Sequence, residues 1–193
     1  MKRLFTGLIF ISLDFNLNLE NCVIGLFPDW LGYLFLMGGL VEMASESGHF
    51  LKVRPLAVGM AVYTAVLYAM DLLGLSFSLG YAAIALGLFS SIISLYILFH
   101  IVQGVIDMER ENAWNVNGAP LFTIWKIMAV CNVLSYVFLA MPPLLTMSVI
   151  VCSVAGIVFL VGFYKARVQY EACPHRYAPD KEEAQDSINK DGG

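Results

Sequence analysis

The chain has 193 residues, of which 59% are hydrophobic and 13% are charged, and its formal net charge is -4 at pH 7. Soluble domains contain about 45–50% apolar and about 25% charged residues, so this composition indicates that apolar surface faces lipid. There is no basic face for nucleic acid, and the four cysteines have no CxxC spacing. We therefore expect an integral membrane protein without a nucleic-acid partner and without a disulfide.

The first apolar segment, residues 4–13, follows Met1-Lys2-Arg3. It has the basic start and short apolar core of a signal peptide, but no small-residue cleavage site follows, so we expect an uncleaved membrane segment. Over residues 12–20 polar and apolar side chains alternate strictly, which is the period of extended backbone. Two interpretations stay open: the first helix runs through this stretch with a polar outer end, or it unwinds at the outer surface.

The second segment begins near Phe27-Pro28, since proline suits a first helical turn. Four later runs have the roughly 20 apolar residues of a spanning helix: they are residues 56–75, 77–102, 121–141 and 144–164. Pro142-Pro143 and a short connection at residues 73–78 turn these runs into hairpins. The sequence predicts an all-α, polytopic membrane protein with six transmembrane segments in three hairpins, the first of them short or partly unwound.

The positive charges set the orientation. With Lys126 counted at the start of the fifth segment, every Lys and Arg precedes the first segment, lies between the second and third or the fourth and fifth, or follows the sixth. Six segments place all these charges on one side, which is then the cytoplasmic side, whereas an odd number would scatter them. We expect both termini in the cytoplasm, a transmembrane domain over residues 1–167, and a disordered polar cytoplasmic tail over residues 168–193, which has too little apolar area to offset ordering.

Acidic and amide side chains gather at the predicted outer ends of the first three segments. They are Asp14, Asn16, Asn18, Asp29 and Asp71. Neighbouring carboxylates without a cationic residue favour a proton or a cation, and charges at membrane depth often mark function. The alternative is a solvated cluster that caps helices, as Asp29 would in a first turn. The spacing that starts at Asp14 is similar to the start of a calcium-binding loop, but the Gly and Glu that such a loop needs at later positions are absent. Whether these residues bind a metal stays open.

A second polar group follows the fourth segment on the inner side. His100 and Gln103 share a helical face, and Asp107 comes a turn later. One interpretation is a proton relay, and the other is a helix that leaves the membrane into a solvated turn. Glu42 is expected to pair with a basic residue of the next loop, and small residues such as Gly32 and Gly39 favour close helix packing.

A resemblance to a known family is carried by Asp14-Phe15-Asn16-Leu17 and by residues 25–40, which begin Gly25-Leu26-Phe27-Pro28-Asp29-Trp30. The two stretches resemble the start of a family of small uncharacterised integral membrane proteins from Gram-positive bacteria, with an acidic Asn-bearing segment and then a Leu-Pro-Asp-aromatic-x-Gly-Tyr helix start. The resemblance implies a bacterial cytoplasmic-membrane protein and brings no activity. The positions that match a signature site would be Asp14, Asn16, Pro28, Asp29, Gly32 and Tyr33, so Tyr33 joins the candidate ligand-binding residues.

Six spans in about 190 residues also resemble the substrate-binding subunits of energy-coupling-factor vitamin transporters, whose first helix carries small-residue repeats. We predict a membrane protein that binds or transports a small cationic or polar solute through an outward-facing acidic pocket. The alternatives are a non-transport scaffold or partner-binding subunit, including a vitamin-transporter-like one, and an intramembrane enzyme. HExxH, GxSxG and Walker motifs are absent, so no enzyme and no cofactor are expected. Expected partners are the bilayer, the solute, and a second copy or a partner membrane subunit.

Overall fold

The computed structural model describes residues 1–12, 16–19, 22–25, 29–73, 81–112 and 116–172. Within these ranges the chain is helical except for one short β-hairpin, which confirms the predicted helical class. The helices are α1 (Lys2–Ser12), α2 (Asp29–Glu42), α3 (Gly48–Leu72), α4 (Tyr81–Asn112), α5 (Gly118–Val137) with a 3-10 turn after it (Phe138–Ala140), and α6 (Pro142–Ala172).

The β-hairpin follows α1. Strands β1 (Asn16–Leu19) and β2 (Cys22–Gly25) pair antiparallel, with Asn16 opposite Gly25. Because α1 ends at Ser12, the structure agrees with the unwound interpretation of the first segment, which the alternating pattern favoured. Pairing of the two strands also satisfies backbone groups that could not face lipid alone. β2 lies against α3.

Four of the described helices are long and apolar enough to cross a membrane: they are Gly48–Met70, Ile84–Glu111, Gly118–Ala140 and Pro142–Ala172. They correspond to the four later apolar runs of the sequence and support a membrane-embedded protein. The first two predicted segments differ, since α1 has 11 residues and α2 has 14. At about 1.5 Å per residue they are roughly 16 and 21 Å long, less than the roughly 30 Å of a hydrocarbon core.

Each helix packs antiparallel against the next one, and α6 returns to pack against α1, so the six helices close into a ring. Phe5 of α1 stacks on Phe163 of α6, with the ring centroids 6.4 Å apart. The fully buried side chains concentrate at the end of the ring where α1 begins and α2 ends. They include Leu4, Leu36, Leu40, Met43, Phe50, Val53, Ile101, Val105 and Met108.

Glycines bring α1 and α2 into backbone contact. A Cβ atom on Gly7 would lie 2.6 Å from the Leu36 nitrogen and 2.7 Å from the Gly32 oxygen, and one on Gly39 would meet the backbone of Leu4. Only glycine allows so close an approach. The expected packing role of Gly32 and Gly39 is therefore realised against α1.

The described Lys and Arg residues all lie in the halves of their helices that face one end of the ring. We call this the cationic end, and the opposite end, where α1 leads into β1, the hairpin end. Among these residues, Lys126 has the backbone position furthest from the cationic end. Its side chain reaches back toward that end, because the ammonium lies 4.7 Å from the centre of the Phe122 ring, one turn nearer to it. The cations are Lys2, Arg3, Lys52, Arg54, Arg110, Lys126, Lys165 and Arg167.

Two details at the cationic end differ from expectation. α6 continues to Ala172, past the boundary expected at residue 167, and Arg167 Nε donates to Glu171 Oε1 at 2.9 Å in its last turns. The predicted tail from residue 173 onward lies outside the described residues. Within the described part of the chain, Glu42 pairs with the N-terminal amine of Met1 at 3.7 Å and not with Lys52 or Arg54. Burial lowers the pKa of that amine, and the Glu42 carboxylate opposes the change.

Candidate functional site

The predicted ligand-binding residues map to the hairpin end wherever the structure describes them. Asp29 begins α2 and Asp71 lies in the last turn of α3. Asn16 and Asn18 lie in β1, whose partner strand contacts α3. The backbone thus brings three of the predicted elements to the same end of the ring. The side chains of Asn16, Asn18 and Asp71 lie outside the described residues, as do Asp14 and Pro28, so a shared site stays a prediction.

Tyr33 lies one turn into α2, and the structure gives it a packing partner across the ring. Its side chain is 3% exposed, and its hydroxyl lies 2.7 Å from Ser94 Oγ on α4. Since α2 and α4 are not neighbours in the ring, this hydrogen bond ties opposite sides of the bundle together. Gly32, beside it, faces α1.

A polar network that the sequence did not reveal joins the start of α3 to α4. Ser47 caps α3, because its Oγ accepts a hydrogen bond from the His49 backbone N–H at 3.2 Å. The same Oγ donates to Asp107 Oδ2 at 2.9 Å. His49 Nε2 lies 3.4 Å from that carboxylate oxygen, and His49 Nδ1 lies 2.8 Å from His100 Nδ1. We call Ser47, His49, His100 and Asp107 the histidine network.

The histidine network runs from the surface into the bundle. The side chains of His49 and Asp107 are about one third exposed, at 28% and 33%, whereas His100 is buried. The rings of Tyr96 and Phe99 pack against His100, with ring centroids 4.6 and 5.4 Å away. Water can therefore reach His49 and Asp107 readily, whereas only 9% of His100 is exposed to it.

The sequence pointed to His100 and Asp107 but not to His49. Gln103 shares its helical face, yet the observed partner is His49, 51 residues earlier. No motif links residues so distant in the chain. The sequence predicts that α3 and α4 form an antiparallel hairpin. Such a hairpin places residues 47–49 opposite residues 100–107, so the proximity of His49 to His100 could have been inferred from it.

The ring is loosely packed toward the hairpin end. An open cavity of about 950 Å³ lies between α1, α4, α5 and α6. Its lining is mainly aliphatic, and none of the described residues that line it is charged. The polar lining residues are Ser12, Asn132, Ser135, Tyr136, Cys152 and Ser153.

Most of the cavity's hydroxyl groups are engaged by the protein itself. Ser135 Oγ lies 2.9 Å from the Cys131 carbonyl oxygen, Ser153 Oγ donates to the Val149 carbonyl at 2.9 Å, and the Tyr136 hydroxyl lies 3.0 Å from Ser91 Oγ. These bonds leave little hydrogen-bonding capacity for a ligand.

Asn132 supplies the one side-chain amide among the described lining residues. Its amide makes no hydrogen bond to any residue that the structure describes, although it lines an apolar cavity. Asn132 precedes Ala140, at the hairpin end, by eight residues, which places it about 12 Å inside the bundle. An amide at this depth gains most from a hydrogen-bonding partner that enters the cavity.

Over the described ranges, no group of three or more His, Cys, Asp or Glu side chains is arranged to hold a metal ion. Comparisons of the chain with protein-family models, curated protein sequences and solved structures found no match. A functional assignment therefore has to come from the side-chain geometry, and the resemblance to the Gram-positive family stays a prediction.

Proposed function

We propose that this protein is a solute-binding membrane protein whose cavity between α1, α4, α5 and α6 takes a neutral, mainly apolar molecule with one hydrogen-bonding group. The observation that carries the proposal is the Asn132 amide, which lines the cavity without a hydrogen bond to a described residue. An amide offers two donor hydrogens and an acceptor oxygen. It would therefore hold an amide, hydroxyl or carbonyl group of the ligand.

The uncharged lining favours a neutral ligand. A charged group that enters an apolar cavity loses its hydration and needs an opposite charge to compensate. None of the described lining residues supplies such a charge. The cavity therefore suits a different solute from the cationic or polar one expected at the hairpin end.

The proposal counts α1 and α2 as membrane segments, which gives six. Both helices are integral to the ring: Leu4 and Leu8 of α1 and Leu36 of α2 are buried in its core. With the cationic end in the cytoplasm, as the distribution of Lys and Arg favours, both termini are cytoplasmic. The resemblance noted in the sequence favours the cytoplasmic membrane of a bacterium.

A second candidate is the predicted cation or polar-solute site at the hairpin end. The favouring observation is that two acidic residues lie at this end of the ring. Asp29 begins α2, and Asp71 lies in the last turn of α3, which ends beside the β-hairpin. Such a site would attract a cation from outside the cell.

Three probes with the same alkyl chain but different ends test the cavity proposal: dodecanamide, dodecane and dodecylamine. In lipid nanodiscs, dodecanamide should raise the melting temperature of the parent protein, by about 2–4 °C for each kcal/mol of binding free energy. The Asn132→Leu variant should lose this shift, because it keeps the shape of the side chain and removes the amide.

The matched control is Val133→Leu, since Val133 is 60% exposed on the neighbouring position and faces away from the core. It should respond to dodecanamide as the parent does. An equal dodecanamide shift in Asn132→Leu and in the parent would refute the cavity proposal. A larger shift with dodecylamine than with dodecanamide would favour the cation site instead.

A further inference from the structure

The hydrogen bonds of the histidine network restrict where its protons can be. The Nδ1 atoms of His49 and His100 lie 2.8 Å apart, so one of them donates and the other accepts, and a single proton lies between them. An ionised carboxylate only accepts. The Nε2 atom of His49 lies at ion-pair distance from Asp107 Oδ2, 3.4 Å, and this neighbouring negative charge favours a proton on Nε2.

Two protonation states satisfy all of these contacts without a charge on the buried His100. In the first, both imidazoles are neutral: His100 carries its proton on Nδ1 and donates it to His49 Nδ1. In the second, His49 is an imidazolium that donates from Nδ1 and pairs its charge with Asp107, and neutral His100 carries its proton on Nε2. The two states differ by one proton and keep the same hydrogen-bonded heavy atoms.

We propose that the histidine network is a binding site for a single proton, which moves along the hydrogen bond between His100 and His49. A proton bonds to His100 Nε2 through the 9% of the His100 side chain that stays exposed. The N–H bond at His100 Nδ1 breaks, and that proton bonds to His49 Nδ1. The positive charge then lies on His49, beside the Asp107 carboxylate, and the reverse steps release the proton.

Geometry excludes a second proton. If both imidazoles were charged, both Nδ1 atoms would be donors 2.8 Å apart, and their hydrogen bond would be replaced by repulsion between like charges. The network thus takes up one proton where two separate histidines would take up two.

The charged groups around the pair support this stoichiometry. From α4, Asp107 favours one positive charge on His49. Burial of His100 is the main opposition to a further charge there, and the charges of His49 and Lys52 on α3 add to it. The rings of Tyr96 and Phe99, which cover His100, are neutral. One positive charge on the histidine pair is therefore balanced by Asp107, and a second positive charge is not.

The proposal does not depend on the solute that the cavity binds, because the network lies at the cationic end and the cavity opens toward the hairpin end. The partly exposed side chains of His49 and Asp107 allow exchange with water at that end. The network thus adds a proton-dependent contact between α3 and α4 to whatever the cavity does.

The test uses ¹⁵N-histidine labelling of the full chain in nanodiscs, with His175→Gln as the background so that only His49 and His100 report. Between about pH 8 and about pH 5, a range that spans the ordinary histidine titration, one imidazole should become doubly protonated. The other should stay neutral and change its protonated nitrogen from Nδ1 to Nε2. In His49→Gln, the remaining imidazole should titrate without that change of tautomer.

Asp107→Asn should move the midpoint of proton uptake to lower pH by about one unit, a tenfold loss of proton affinity. Glu111→Gln is the matched control, since it removes the same charge one turn further along α4, at an exposed position, and should leave the midpoint unchanged. Protonation of both imidazoles over this range, or titration of either without a tautomer change in the other, would overturn the proposal. So would equal midpoints in Asp107→Asn and Glu111→Gln.

Discussion

Asp71 and Asp29 are the residues on which the predicted cation site depends. If these carboxylates hold a cation, Asp71→Asn should abolish the rise in melting temperature that sodium, calcium or methylammonium ions cause in the parent, because the amide keeps the size and loses the charge. The fold should persist, with little change in the melting temperature without added cation. Thermal unfolding in nanodiscs measures both quantities.

Glu111→Gln again serves as the control, as it removes an exposed charge at the other end of the ring. Parent-like shifts with all three ions in both Asp71→Asn and Asp29→Asn would end the cation-site hypothesis. The cavity proposal would be untouched by that result, since none of the described cavity residues is charged.

For single residues, the sequence identifies the chemically important side chains better than it identifies their contacts. It singled out Asp29 and His100 because polar groups in apolar runs are costly, and Tyr33 through the family resemblance. It did not reveal that Tyr33 bonds to Ser94 or that His100 bonds to His49. Those partners depend on the rotation and register of packed helices, which hydropathy does not encode.

Among the elements, the α1–α2 pair is the most sensitive to a small change. Gly7→Ala places a methyl group against the backbone of Gly32 and Leu36, and backbone cannot move aside as a flexible side chain can. We expect a loss of about 1–3 kcal/mol in the free energy of unfolding, the usual cost of overpacking. Equilibrium unfolding in mixed micelles measures it.

Gly59→Ala is the control within a helix, because a Cβ atom there meets nothing within 4 Å. It should leave stability unchanged or raise it by up to about 1 kcal/mol, since alanine has the better helix propensity. If Gly7→Ala proved as stable as Gly59→Ala, the close packing of α1 on α2 would be contradicted.

Element boundaries were predicted less well than element existence. The four long helices fall where the apolar runs predicted, but α3 begins at Gly48 and α4 ends at Asn112, about two and about three turns beyond their apolar runs. Hydropathy reports the part of a helix that can lie in lipid, and a helix can continue into water. Pro55 in particular marks no boundary, because α3 continues through it although it is the eighth residue of the helix and removes one backbone hydrogen bond.

On the scale of the whole molecule, packing is uneven. The buried core lies at the cationic end, whereas the cavity opens toward the hairpin end between helices that α1 only partly covers. Charge distribution predicted that the cations share one end. The closure of the ring by α6 on α1 could not be predicted, because alternating hydropathy orders the segments through the membrane and says nothing of their neighbours within it.

The central claim is that the protein has six membrane segments and its cationic end in the cytoplasm. This claim depends most on whether the short helices α1 and α2 cross the membrane. Replacement of the four native cysteines by alanine allows single cysteines to be placed at Ser45, Asn21 and Met141. Ser45 lies in the connection from α2 to α3, Asn21 between β1 and β2, and Met141 between α5 and α6. Ser45 and Met141 are both exposed, so burial does not prevent their labelling.

The decisive measurement is labelling of these three variants in intact cells with a membrane-impermeant maleimide, with permeabilised cells as the reference. The account predicts that cysteines at residues 21 and 141 are labelled from outside and that the one at residue 45 is labelled only after permeabilisation. Labelling at residue 141 with protection at residue 21 would mean that α1 and α2 do not cross the membrane. Labelling at residue 45 in intact cells would contradict the orientation.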